Sequence, residues 1–180
     1  MPIDPARPFV PCNIAIVTVS DSRGESEDSS GHTLVQRATA AVHRVVFKRV
    51  VEDDLETIRG CVTALIADAG VDVVITTGGT GVTGRDVTPE ALEGLYDKAI
   101  VGFGELFRWL SYQSIGTSTI QSRATAGVAG RTYLFGLPGS TGACRDAWDG
   151  ILQSQLDSRH RPCNLVELLP RLAETSPPKR

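Results

Sequence analysis

Residues Val71–Leu95 read VDVVITTGGTGVTGRDVTPEALEGL, a stretch in three parts. Val73, Val74 and Ile75 form a short β-branched run, which suits a strand buried on both faces. Gly78, Gly79, Thr80, Gly81 and Gly84 follow as a loop with almost no side-chain bulk. Thr88-Pro89-Glu90 then has the composition of a helix start, with Thr at the N-cap, Pro first in the helix and Glu in the first turn. Ala91, Leu92, Leu95, Tyr96 and Ala99 continue at helical spacing. A strand that feeds a glycine loop and a helix leaves backbone N–H groups unused, and glycines let that backbone approach a phosphate closely. Arg85 and Asp86 add a cation and a carboxylate at the same edge. Asp86 is a candidate Mg2+ ligand, because Mg2+ bridges carboxylate and phosphate oxygens. The functional reading is a nucleotide- or phosphate-binding loop. The plainer one is a tight connection with Asp86 as a cap, and the coincidence of small residues, charge pair and helix start favours the first.

Two shorter motifs match as strings and fail on context. Gly79 to Gly84 satisfies G-x-G-x-x-G, but it lies well into the chain, and Asp86 to Pro89 separate it from its helix. Glu105, the acidic residue at about the right distance, sits in another helical pattern. The same residues have Walker A spacing, with Arg85-Asp86 where Lys-Ser/Thr is required.

Upstream of the stretch, residues 1–13 carry four prolines and read as an irregular arm. Ile14 to Val19 is a buried first strand, followed by Ser20-Asp21-Ser22-Arg23-Gly24 at its carboxyl end, where open α/β sheets bind ligands. Glu25 to Asp28 read as a mobile surface loop, with Ser20 and Ser30 as better functional candidates, Ser30 also as a helix cap. Leu34, Val35, Ala38, Ala41 and Val42 mark a helix, and Val45 to Val51 a second strand. Asp53 followed by Glu56 resembles a capping pair ahead of a helix marked by Leu55, Ile58, Val62, Leu65 and Ile66. The position of Asp53 at a strand's carboxyl end also keeps it a ligand candidate.

Downstream, Phe103, Leu106, Phe107 and Leu110 share one helical face, while Arg108, Ser111 and Gln113 lie off it. Thr117 to Arg123 is a polar connection. Gly127 to Gly136 reads as one further strand, and Pro138-Gly139-Ser140 opens a second small-residue loop before a helix marked by Cys144, Ala147, Trp148, Ile151, Leu152 and Leu156. Strand and helix patterns alternate, which predicts a three-layer α/β/α domain with a mostly parallel sheet over residues 14–169, and a frayed tail over 170–180. The loops near Ser20, Gly78–Asp86 and Pro138–Ser140 are then expected at one edge of the sheet.

The 180 residues, 41% of them hydrophobic, suffice for one domain with a full core. A net charge of −3 gives no basic footprint for nucleic acid. No apolar run reaches the roughly 20 residues of a membrane helix, and the start lacks the apolar segment of a signal peptide. These absences point to the cytoplasm. The four cysteines and three histidines are dispersed, with no zinc pattern and no nucleophile elbow.

The full string TTGGTGVTGRDVTPEAL resembles the signature of the molybdopterin-binding family, which includes the molybdenum cofactor biosynthesis B protein (MoaB), the adenylyltransferase Mog and the G domain of gephyrin. The resemblance extends over about residues 14–164 by pattern. SDSRGESEDSSGHTL, EGLYDKAIVGFGELFRWLSYQSIGTSTIQSR and LPGSTGACRDAWDGILQSQLDSRHRPCNL look most like the B branch. It implies the α/β fold argued above and a reaction in which molybdopterin and ATP give adenylylated molybdopterin and pyrophosphate. It implies Asp53 and Asp86 as catalytic residues and Mg2+ ligands, and Ser111 as a residue that helps at the site. Ser20, Gly78, Gly79, Thr80, Gly81, Arg85, Pro138, Gly139 and Ser140 would bind substrate or nucleotide. It also implies a homotrimer or homohexamer. The loop after Pro138 continues as Gly139-Ser140-Thr141-Gly142, as in the B branch, where proven transferases usually continue with a proline or a lysine-type residue. The alternative implied role is to hold molybdopterin or a nucleotide without turnover.

Overall fold

The computed structural model describes residues 3–21 and 24–174. Its six-stranded sheet has the order β2-β1-β3-β6-β5-β4. The strands are β1 (Asn13–Val19), β2 (Arg44–Val51), β3 (Val73–Thr77), β4 (Lys98–Ala99), β5 (Thr125–Ala129) and β6 (Thr132–Leu137). Strands β2, β1, β3 and β6 run parallel, and β5 is antiparallel to both β6 and the edge strand β4. The three-layer, mostly parallel sheet expected from the alternating patterns is the one observed.

Period-two alternation divides the core between the two faces. Ile14, Ile16, Val73, Ile75, Tyr133 and Phe135 point to one face, under α1 (Ser29–Ala40), α4 (Val101–Ile115) and α5 (Thr141–Ala147). Ala15, Val17, Val74 and Leu134 point to the other, under α2 (Leu55–Ala67) and α3 (Thr88–Glu93). Both faces are covered, which is why the central strands read as continuous apolar runs. Helix α5 continues through a π-helical turn, Trp148–Leu152, and buries Cys144, Ala147, Trp148, Ile151, Leu152 and Leu156 as expected. On α4, Phe103 and Phe107 are buried, but Leu106 is exposed.

Several expectations change. Residues 127–136 are not one strand: β5 and β6 form a hairpin, with Gly130 at φ +59° in its turn. The helical pattern after Thr88 closes at Glu93, and Ala99 belongs to β4. Tyr96 instead lies over Gly127, where a Cβ would meet its ring at 2.3 Å. The expected connection at 117–123 contains a 3-10 turn, Gly116–Gln121.

Asp28 is not part of a mobile surface loop. Its side chain is fully buried and caps α1, accepting from Gly31 N at 2.8 Å and Thr18 Oγ1 at 2.9 Å. Lys48 Nζ stands 2.7 Å from its Oδ2. Ser30, expected as a cap, donates to Asp28 Oδ1 at 3.3 Å. Val42 lies beyond the end of α1, at φ +65° and exposed.

The arm lies along its own chain. Ile3 bridges His160, Asp4 N donates to Arg159 O at 2.9 Å, and Val10 N donates to Ser158 Oγ at 2.8 Å. Arg7 pairs with Glu167, and Arg159 stacks over Phe9 at 5.1 Å. A 3-10 turn, Val166–Arg171, runs past the expected end of the domain at Leu169. No helix among the described residues is long and apolar enough to cross a membrane.

Burial alone would raise the Asp28 pKa, but Lys48, Gly31 and Thr18 outweigh it and hold the carboxyl below its usual range. The unfolded chain therefore takes up this proton first as pH falls through about 4, so the stabilisation is present above that pH and lost below it. Lys48→Met leaves the buried carboxylate unpaired and is expected to cost about 3 kcal/mol at pH 7. Melting temperatures measured from pH 7 to pH 3 should show the deficit shrinking on acidification. A deficit independent of pH would show that Lys48 acts through packing.

Candidate active site

The carboxyl ends of β1, β3 and β6 meet at a cavity of about 660 Å3. Its walls include Ser20, Asp53, Gly78, Gly79, Thr80, Gly81, Asp86, Ser111, Pro138, Gly139 and Ser140. Eleven of the twelve sequence-predicted site residues thus line one cavity. The twelfth, Arg85, stands at the rim and pairs with Asp21. Ser22 and Arg23 lie outside the described residues.

Gly78 is where the strand ends crowd. Its φ is +113°, and a Cβ there would sit 2.2 Å from Val19 O. Gly78 N donates to Leu137 O at 2.9 Å, and Thr77 Oγ1 donates to Pro138 O at 3.0 Å. Gly79, at φ +62°, has Asp53 and Thr88 where a side chain would go, and Gly81 has Asp86 there. These glycines let three backbones and two carboxylates approach each other.

The two aspartates reach the cavity differently. Asp54, not Asp53, caps α2, accepting from Thr57 N at 2.8 Å. That releases Asp53 to face the cavity. Its backbone N–H is held by Asp21 Oδ1 at 3.0 Å, while its Oδ1 is buried with no hydrogen-bond partner among the described residues. Burial pushes the Asp53 carboxyl above its usual range, against a hydrogen bond from the Val87 backbone, and the charges of Asp21 and Asp86 push it further. Asp86 is closed into its own turn. Its Oδ2 accepts from Thr83 Oγ1 at 2.6 Å and Thr83 N at 2.9 Å, which hold its carboxyl below the usual range against burial.

The helix start is shifted by one residue from the expected place. Ala91 N bonds to Val87 O at 3.0 Å, so Val87 is the N-cap and Thr88 is the first residue of α3. Among the described residues no three Asp, Glu, His or Cys side chains converge as a ready metal cluster. A cation held here would draw on Asp53, on hydroxyl or backbone oxygens and on its own ligand.

Three contributors escaped the sequence reading. Arg123 braces the glycine loop, donating to Gly81 O and Asp86 O, both at 2.6 Å, and pairing with Glu90. Nothing in a polar run marks an arginine with this role. Asp21 belongs to the first loop, but only the fold brings it to Asp53 and Arg85. Asp146 lines the cavity from α5, and its spacing from Gly142 and Ala143, which also line it, is the helical cue.

Asp53 holds its proton more tightly in the native state than in the unfolded chain. It therefore costs stability once pH rises through its native pKa, and costs nothing below about pH 4. Asp53→Asn is expected to raise the melting temperature by a few degrees at pH 7 and to leave it unchanged near pH 3. A loss of stability at pH 7 would show that the carboxylate is held by attractive contacts.

The chain matches the family model described as "Probable molybdopterin binding domain" over residues 15–158. It is 55% identical to molybdenum cofactor biosynthesis protein B of Escherichia coli K12 over 156 residues, 87% of this chain and 92% of that protein. It is 39% identical over 147 residues to a Pyrococcus furiosus protein named molybdopterin adenylyltransferase, covering 78% of this chain and 85% of that one. A crystal structure of molybdenum cofactor biosynthesis protein B superposes with a TM-score of 0.84 at 42% identity, covering 92% of this chain and 98% of that one. The glycine-built strand junction and these similarities agree: the chain belongs to the molybdopterin-binding family of molybdenum cofactor biosynthesis proteins.

Proposed function

We propose that the cavity adenylylates molybdopterin, with ATP as the second substrate and pyrophosphate as the leaving product. The observation that carries this reading is the convergence of Asp53, Asp86 and the Gly78–Gly81 backbone on one cavity. The name of the Pyrococcus furiosus relative, molybdopterin adenylyltransferase, supports it. In this reaction a phosphate oxygen of molybdopterin forms a bond to the α-phosphorus of ATP, and the bond from that phosphorus to the bridging oxygen of pyrophosphate breaks. Such chemistry asks a protein for alignment and charge stabilisation, with no protein nucleophile.

The chain's own groups divide these tasks. The Gly78–Gly81 backbone and the Pro138–Ser140 loop bind phosphate oxygens and shape the pocket. Ser111, buried on α4, offers a hydroxyl to the substrate. Arg85, on the rim with Asp21, offers a cation to an entering phosphate. Asp53 and Asp86 would hold Mg2+, and the unpaired Asp53 Oδ1 fits that role. When bound, the ion neutralises the phosphate charge that three nearby carboxylates would otherwise repel.

The working protein is a homotrimer or homohexamer in the cytoplasm, with small-molecule substrates and no nucleic-acid or membrane partner. The four cysteines stand as thiols, in keeping with a reducing compartment. Leu106, Trp109 and Tyr112 on α4 are exposed apolar or aromatic side chains close in sequence, as a self-associating face would have. Trp109→Asp is expected to lower the mass measured by light scattering to that of a smaller assembly. An unchanged mass would move the interface elsewhere.

Incubation with molybdopterin, ATP and Mg2+ should give adenylylated molybdopterin and pyrophosphate. Asp86→Asn should slow product formation at least about a hundredfold, in line with loss of a group that stabilises transition-state charge. Binding of molybdopterin without product would establish the holding role instead, and binding of neither substrate would remove the site assignment.

A further inference from the structure

Thr88 is fully buried, and its Oγ1 has no hydrogen-bond partner among the described residues. Native proteins seldom leave a buried hydroxyl in that condition. Its own helix offers none of the usual remedies. As an N-cap it would take the Ala91 N–H, but that group already bonds to Val87 O at 3.0 Å. The Thr88 N–H is committed to Gly79 O at 3.0 Å.

Asp53 Oδ1, buried and unpartnered in the same way, is its neighbour. A Cβ on Gly79 would lie 2.4 Å from Thr88 Oγ1 and 2.8 Å from Asp53 Oδ1. Two unsatisfied oxygens, from different elements, therefore lie against the same residue without a side chain. One is anionic, so the group that serves both must carry positive charge or donate hydrogen bonds. Carboxylate and hydroxyl oxygens are a hard donor pair that suits Mg2+, which keeps part of its water shell. Asp86 is less available, because its Oδ2 already accepts two hydrogen bonds from Thr83.

We propose that the Thr88 hydroxyl is a ligand of the divalent cation held by Asp53, directly or through one water of its shell, so that the threonine of the T-P-E helix start belongs to the cation seat. The inference rests on the Mg2+-dependent reading above and extends it to a residue whose sequence context reads only as a helix start. It also gives Gly79 a second role, since any side chain there would press on both oxygens.

The test uses Mn2+ as a spectroscopic probe, titrated into the full chain by electron paramagnetic resonance, with and without a non-hydrolysable ATP analogue. Thr88→Val keeps the shape and removes the hydroxyl, and Thr88→Ser keeps the hydroxyl. Thr88→Val should weaken Mn2+ binding at least about tenfold, and Thr88→Ser should stay within about threefold of the parent. Without metal, Thr88→Val should melt no lower than the parent, because it removes an unsatisfied buried group. Unchanged Mn2+ affinity in Thr88→Val would overturn the inference and leave the hydroxyl on a structural water, while the adenylylation reading stood. Thr88-dependent Mn2+ binding in a protein that forms no product would sustain the cation seat and sink turnover. Absence of Mn2+ binding by the parent in both conditions would overturn the inference together with the metal role of Asp53.

Discussion

Three parallel strands end against one another because residue 78 has no side chain. Val19 O occupies the space a Cβ would need, and a Cβ on Gly139 would stand only 3.1 Å from Gly78 Cα. A larger residue at either place would wedge β3 from its neighbours and open the cavity where its walls join. The strand ends are tied instead by Gly78 N to Leu137 O and by Ser20 N to Val51 O, both at 2.9 Å. The loops that leave this junction inherit its geometry, and so do Asp53, Asp86 and the Pro138 turn. The crowded glycine junction thus fixes where the backbone runs at the head of the cavity.

Charge is handled in opposite ways on the two sides of this junction. Behind it, Asp28 is paired with Lys48 and surrounded by donors, so burial is compensated. In front, the charges of Asp21 and Asp86 press on Asp53, with Arg85 at the rim as counter-charge for Asp21. The first arrangement holds the chain together, and the second sets like charges side by side at the cavity.

Much of this architecture was legible in the residues. Ile14–Val19 and Val73–Thr77 are apolar on both faces because helices cover both, and the string around Gly78 carried the family. The losses have physical causes. Strand β5 is built of small residues, Thr125 to Ala129, with too little apolar contrast to separate it from β6. Caps were misplaced by one residue at both Asp53 and Thr88: beside Asp53 stands Asp54, an equally good cap, while α3 starts one residue early on Val87, which offers no side-chain cap at all. That single-residue shift matters, because it turns Asp53 from a cap into a cavity-facing carboxylate. Asp28 looked solvated because its partners, Thr18 and Lys48, are ten and twenty positions away in sequence. Arg123 acts on a loop some forty residues upstream, a relation that no local period records.

The arm and the C-terminal segment lean on each other as well as on the core. Ser158 Oγ accepts from Val10 N and donates to Pro8 O, while Arg7 and Arg161 both reach Glu167. Phe9 connects this clasp to the interior through His43, whose ring in turn meets Trp148. Each segment loses these partners once the other leaves. Their backbone amides should then exchange with solvent as one cooperative unit, below the free energy of global opening, while the strand junction stays closed. The arm and the C-terminal segment thus form a local folding unit, closed by residues about 150 positions apart.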